Sequence, residues 1–171
     1  YAMGNAWLVK EVKIVNSADD EVRSLSVFNP QTTAIVHKNF ESQLAGYKKS
    51  SGDGVIQLTD YQPNYLKYSA KITGEPQLVV FSEIYYPKGW KSFIDGKEAA
   101  HLQANFVLRA MVIPQGEHQI EFKFEPASYY IGNKVSMASS ILLLLAIAGF
   151  LYFRFQSNNK KLKRKEVKEI F

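Results

Sequence analysis

Residues 118–125 read HQIEFKFE, with Ile120, Phe122 and Phe124 alternating with Glu121, Lys123 and Glu125. Successive side chains of an extended strand point to opposite faces, so this octet is a strand with one buried and one wet face. Upstream, the same reading extends to VIQLTDYQ (55–62), NYLKYSAKIT (64–73), QLVVFSEI (77–84), KSFI (91–94), KEAAHL (97–102) and FVLRAMVI (106–113). Thr73-Gly74-Glu75-Pro76, Pro87-Lys88-Gly89, Asp95-Gly96 and Pro114-Gln115-Gly116 punctuate these runs. Asp95-Gly96 between two short runs is the signature of a two-residue hairpin. Regular short strands with such turns predict a mainly β fold, an antiparallel β-sandwich.

The N-terminal part adds one helix. WLVKEVKIV (7–15) reads as an opening strand and Thr32–His37 as another, while Tyr47–Gly54 (YKKSSGDG) reads as a polar loop. Between the first two, Asn16 or Ser17 can cap a helix whose first turn carries Asp19, Asp20 and Glu21, where the macrodipole favours anions. Ala18, Val22, Leu25 and Phe28 fall on one helical face, and Asn29-Pro30 ends it. The three acids are the first turn of a helix rather than a metal site, because no further ligand pattern follows.

At the other end, residues 135–155 read VSMASSILLLLAIAGFLYFRF, and no charged side chain occurs from Val135 to Phe153. About 20 apolar residues in a helix cross a hydrocarbon core about 30 Å thick. Tyr129 and Tyr130 before the run, and Tyr152, Phe153 and Phe155 at its close, suit the two headgroup levels. Ser136 and Ser140 form one small-xxx-small pair, a packing signal for neighbouring helices. The chain therefore divides into a β-sandwich domain (1–134), a single C-terminal transmembrane helix (135–155) and a basic tail (156–171).

Charge sets the expected orientation. Seven basic and two acidic residues lie from Arg154 onward, which leaves 14 of each sign before it. Basic segments stay cytoplasmic, and anionic lipid attracts them, so Lys160, Lys161, Lys163, Arg164 and Lys165 are assigned to lipid contact and topology. The β domain is then extracytoplasmic. A basic tail abutting a membrane span, without a reader fold, argues against nucleic acid as a partner. The opening YAMGNAWLV carries no basic n-region followed by an apolar stretch. The reading favoured is a C-terminal piece of a longer membrane protein; the alternative is a late-acting transmembrane signal.

Chemistry is sparse. The chain has no cysteine, which excludes disulfides, thiolate metal ligands and a thiol nucleophile. His37, His101 and His118 lack metal-ligand spacing, and no serine-nucleophile, zincin or phosphate-loop motif occurs. No catalytic residue, cofactor or metal is assigned. Glu83, Asp95 and Glu98 are acids that folding could bring together. The densest cluster is FSEIYYPKGWKSFIDGKEA (81–99), with Tyr85, Tyr86, Trp90 and Phe93 around a Pro-Lys-Gly turn. Aromatics favour strands and cores, so a hairpin packing the sandwich is the leading reading. The functional alternative makes Tyr85, Tyr86 and Trp90 ligand-binding residues that stack on a sugar face or rest on headgroups.

The run SEIYYPKGWKSFIDGKEA (82–99), followed by ANFVLRAMVIPQGEHQIEFKFEP (104–126) and a final hydrophobic helix, resembles the C-terminal end of the YfhO-like bacterial membrane proteins. The opening GNAWLVKEVKIVNSADDEV (4–22) is similar to the part of that family after its last multi-helix block. The resemblance implies a large polytopic parent related to C-type glycosyltransferases, which use lipid-linked sugar donors on the outer side of the membrane. The catalytic acid of such enzymes lies in an early loop with no counterpart here, so none is carried over. The implied role is an accessory portion that positions an acceptor or packs on the membrane core. Its partners would be the lipid bilayer, the remaining transmembrane helices, and an envelope glycan or lipid-linked sugar. A stand-alone single-pass envelope protein whose sandwich binds a glycan or protein is the alternative. A purely structural cap on a membrane complex is a third.

Overall fold

The structure, a computed structural model, describes residues 2–47 and 53–169, with the backbone alone for 157–169. In chain order the elements are β1 (Ala6–Val9), β2 (Glu11–Val15), α1 (Ala18–Leu25), β3 (Thr33–His37), a 3-10 helix (Lys38–Leu44), β4 (Asp53–Gln62) and β5 (Tyr65–Thr73). There follow β6 (Gln77–Ile84), β7 (Trp90–Ile94), β8 (Lys97–Glu98), β9 (Leu102–Ala104), β10 (Leu108–Ile113), β11 (Gly116–Phe124) and α2 (Ala127–Glu169). The chain is mainly β, and its two large sheets are antiparallel. One has the order β1-β6-β10-β9 and the other β4-β5-β11-β7-β8.

The two sheets share one core. Leu66, Tyr68, Ala70 and Ile72 of β5 and Ile120 and Phe122 of β11 pack with Val79 and Phe81 of β6 and Met111 and Ile113 of β10. The alternate residues of β6 and β10 do not face water. Leu78, Val80 and Ala110 join Val9, Leu102 and Ala104 in a second core against Ala34 and Val36 of β3. The four-stranded sheet is therefore covered on both faces, which is why QLVVF reads as a continuous apolar run rather than an alternating one.

The covering layer departs from the expected organisation. The opening strand is two strands: β1 pairs with β6, whereas β2 pairs in parallel with β3. A parallel pair needs a crossover, and α1 supplies it. The break falls at Lys10, where the amides of Lys10 and Glu11 both donate to the Thr32 carbonyl, at 2.8 and 3.0 Å. Likewise KEAAHL splits into β8 and β9, which belong to different sheets. Asp53 and Gly54, read as loop, already belong to β4.

Helix α1 is capped as its sequence suggests. The Ser17 hydroxyl accepts from the Asp20 amide at 3.1 Å and donates to the Asp20 carboxylate at 2.7 Å. The helix stops at Leu25, short of Asn29-Pro30, and its buried residues are Glu21 and Ser24. The apolar stripe is not the buried face: Val22 is 50% exposed.

The chain separates into two compact units on either side of the Pro126–Ala127 junction. In the second, α2 continues for 43 residues, about 65 Å of helix. Among the described residues it is the one helix long and apolar enough to cross a membrane, over Ala127–Gln156. Inside it the Ser139 and Ser140 hydroxyls each donate at 2.9 Å to the carbonyl four residues back, Val135 and Ser136. Both polar groups are thus satisfied without water, as a hydrocarbon environment requires. Lys160, Lys161, Lys163, Arg164 and Lys165 lie on the continuing helix backbone, and their side chains are outside the described residues.

Candidate functional site

The hairpin β7–β8 holds the aromatic cluster. Its turn is the expected two-residue one: Asp95 and Gly96 have φ of 50° and 77°, left-handed values that suit Asp and Gly. Register then orders the side chains. Trp90, Ser92 and Ile94 pair with Phe124, Phe122 and Ile120 of β11. That alternation turns Trp90 and Ser92 to the core side, where Ile120 and Phe122 already lie. From the facing sheet, Phe81 packs into the same core.

The three aromatics proposed from sequence have different surroundings. Tyr86 is exposed and tilts over Phe124 at 6.4 Å. Tyr85 is half-buried and makes edge contacts with Phe40 at 5.4 Å and His101 at 5.5 Å. Burial pushes its phenol above the ordinary value. Trp90 lies 5.3 Å from Phe124 and lines a cleft of about 400 Å³ with Pro87, Lys91, Ser92, Ala100 and His101. Of the acids considered together, Glu98 lines this cleft, whereas Asp95 caps the hairpin turn and binds His118. Glu83 acts electrostatically on the interior described next.

Behind Trp90 is a polar interior that was not singled out in the sequence. Arg109 is 1% exposed, and its guanidinium carbon sits 4.4 Å from the Trp90 ring and 4.8 Å from Phe122. Its Nε and Nη2 both donate to the Ile84 carbonyl, at 3.3 and 3.1 Å. Nη1 has no hydrogen-bond partner. Burial lowers the guanidinium's proton affinity, and the charge of Glu83 opposes that effect. The Tyr68 hydroxyl is also buried and unpartnered, and desolvation raises its pKa well above the phenol range. His101 stands 2.8 Å from the Ser92 hydroxyl through Nδ1, while its buried Nε2 has no partner. Desolvation, with the nearby Arg109 charge, lowers the imidazole pKa to about 4, so it is neutral near pH 7.

The signal for Arg109 was present but weak. It is the single cation in LRAMVI, on the same parity as the core residues Met111 and Ile113. A register shift between Leu108 and Arg109 makes that parity hard to carry through the strand from sequence alone. Among the described residues, no group of three or more His, Asp or Glu side chains is placed to hold a metal ion.

Residues 20–136 match the family model of the bacterial membrane protein YfhO, more than half of the chain. The chain belongs to the YfhO family of bacterial membrane proteins. The YfhO match runs from α1 through the whole of the cleft and its polar interior into the first turns of α2. Neither a curated protein nor a solved structure matches the chain.

Proposed function

We propose that this chain is the accessory C-terminal portion of a polytopic YfhO-family protein that resembles lipid-linked-sugar-dependent glycosyltransferases. In this reading the β domain is extracytoplasmic, α2 anchors it, and the cleft beside Trp90 positions a saccharide acceptor. Glycosyl transfer itself belongs to the rest of the parent.

The observation that carries the reading is the composition of the cleft. A half-buried indole and Pro87 offer apolar surface, while Ser92, Glu98, His101 and Lys91 supply polar edges. Saccharides present an apolar ring face rimmed by hydroxyls, and sites for small polar ligands combine these two kinds of surface. Membership of a membrane-protein family and the candidate span support placement at a bilayer.

The test uses the full chain in lipid nanodiscs, titrated with maltotriose and chitotriose while tryptophan emission is followed. The chain has two tryptophans, and Trp7 is tied to the Pro30 carbonyl at 2.8 Å in another layer. A saturable change that survives Trp7→Phe and disappears in Trp90→Phe is expected. No change with either sugar, or one that persists in Trp90→Phe, would overturn the reading.

A further inference from the structure

Where β11 ends, the β domain turns apolar side chains outward. Ile84, Tyr86, Phe106, Val107 and Phe124 are all exposed. Pairing brings them to one end of the sandwich. Phe124 is opposite Trp90 in one sheet, and Ile84 is opposite Leu108 in the other, directly after the turn that holds Phe106 and Val107. Two contacts connect the groups. The Tyr86 ring lies 6.4 Å from Phe124, and the neighbouring Tyr85 amide donates to the Val107 carbonyl at 2.8 Å. At the opposite end, the turns at 73–76 and 114–116 carry no exposed large hydrophobic side chain.

Local packing holds this surface in place. The Glu125 amide donates to the Gly89 carbonyl at 2.7 Å, and the Phe124 amide donates to the Asn64 carbonyl at 2.9 Å. The Phe124 ring lies directly on Gly89, where a Cβ would overlap it. Lys91 and Glu125 form an ion pair at 3.1 Å. The turn between Tyr86 and Gly89 is therefore tied to the last residues of β11. Pro87 and Lys88 in that turn are exposed, so a cation rims the aromatic surface.

The occupant of the surface follows from the chain. Exposed apolar patches mark contact with a protein or a membrane. Here only Glu125 and Pro126 separate β11 from the apolar helix α2. From Phe124 to Tyr130 the chain makes three extended links and about one helical turn, a reach of at most about 15 Å. Tyr129 and Tyr130 suit the headgroup level. The end of β11 is thus confined to the vicinity of any bilayer that α2 spans. Its composition fits that setting: Tyr and Phe suit the boundary between headgroups and acyl chains, and an exposed Lys suits lipid phosphate. We propose that Tyr86, Lys88, Phe124 and the Phe106–Val107 turn form a lipid-binding surface that rests in the headgroup layer. The proposal is independent of the saccharide reading and needs only that α2 spans the membrane. It assigns Tyr86 to lipid and leaves Trp90 to the cleft.

The chain has no cysteine, so single nitroxide labels can be placed without background. The experiment is electron paramagnetic resonance of the full chain in phosphatidylcholine–phosphatidylglycerol nanodiscs, loaded at one chain per disc. Labels go on Tyr86→Cys, Val107→Cys, Gln115→Cys at the opposite end, and Leu145→Cys inside α2. Oxygen, which concentrates in lipid, and a nickel chelate, which stays in water, serve as relaxants. The ratio of oxygen to nickel accessibility should be several-fold higher at 86 and 107 than at 115, and highest at 145. Adding Tyr86→Asp should raise nickel access at 107. Labels at 86 and 107 as open to nickel as the label at 115 would overturn the proposal. Poor access to both relaxants at 86 and 107 would also overturn it, because a protein surface would then cover the patch. A label at 145 outside lipid would remove the anchor and the proposal with it. Should Tyr86→Cys or Val107→Cys fail to fold, the same comparison with a label on the exposed Lys88→Cys decides.

Discussion

Ser92 has one hydroxyl proton and two neighbours within hydrogen-bond distance of its oxygen, the Ala99 carbonyl and His101 Nδ1. Replacing it by alanine removes the hydroxyl that the Ala99 carbonyl and His101 Nδ1 both contact in a largely buried place. Ser92→Ala is expected to lower stability by about 1–3 kcal/mol, measured by urea unfolding of the full chain in detergent; a midpoint unchanged from wild type would show that neither neighbour depends on the Ser92 hydroxyl. His118 makes the complementary case near the surface. It faces two acceptors, the Asp95 carboxylate at 2.6 Å and the Gln115 carbonyl at 3.2 Å, and is raised above its ordinary 6.5, chiefly by the Asp95 bond. Asp95 is lowered below its ordinary 3.8, first by the Gln119 amide and then by His118. The histidine's contribution is therefore complete below about pH 6.5 and is lost as pH rises through its raised folded value. The aspartate's contribution is present above its ordinary value and is lost as pH falls through its lowered one. Stability from the pair peaks between these limits, and because Asp95 is half exposed it should stay within about 1 kcal/mol. His118→Gln should flatten the decline above pH 6.5 in unfolding midpoints; an unaltered slope would assign that decline to other groups. Neither pairing was legible from the residues. His101 and His118 look alike as single histidines in β sequence, and what separates them is the partner that register delivers: Ser92 in a core, Asp95 at a turn.

At the scale of elements, local pattern was readable wherever the local cause dominated. The alternation in β11, the Asp95-Gly96 turn and the Ser17 cap all have partners within a few residues or a fixed period. The buried face of α1 has a remote cause. Glu21 points inward because its carboxylate accepts from the Phe106 amide at 2.8 Å, 85 residues away. That amide belongs to a turn in which Asn105 and Phe106 both have positive φ, 50° and 71°. A bulky residue in that region is uncommon and persists only when its surroundings hold it there. Asn105 supplies more of the holding, since its side-chain oxygen accepts from the Ile35 amide at 2.9 Å and its own amide donates to the Ile35 carbonyl at 2.8 Å. The helix is thus rotated to serve a distant turn, and its apolar stripe is left partly in water. Close approach explains Gly54 in the same way. A Cβ there would lie 2.7 Å from the Lys71 carbonyl oxygen and 3.0 Å from Ile72 and Leu8 methyls. The oxygen is backbone within the β4–β5 ladder and cannot swing aside. Gly54→Ala is expected to cost about 1–3 kcal/mol by overpacking, read as a lower thermal midpoint of the β-sheet signal. An unchanged midpoint would mean that β4 moves off the sandwich freely.

Over the whole molecule, the proposed orientation of the parts across the membrane is argued from the division of charge. The β domain carries balanced charge, while the excess of Lys and Arg follows the apolar run. Family membership places the chain in a membrane, and the apolar helix supplies a candidate span; orientation rests on the charge asymmetry. Each basic side chain near an anionic leaflet is stabilised by about 1 kcal/mol, and carrying five of them across the bilayer would forfeit that and add the cost of the crossing. Replacing Lys160, Lys161, Lys163, Arg164 and Lys165 together by Glu reverses the bias without touching the apolar segment. With the original tail, protease added outside spheroplasts should digest the β domain while a tag on the C-terminus stays protected. With the glutamate tail, a substantial fraction of the chains should show the opposite pattern. The β domain's own fold is the internal control, because its two cores contain no tail residue. Protection that is the same for both tails would show that the orientation has another determinant, and the other transmembrane helices proposed for the parent would then be the place to look for it.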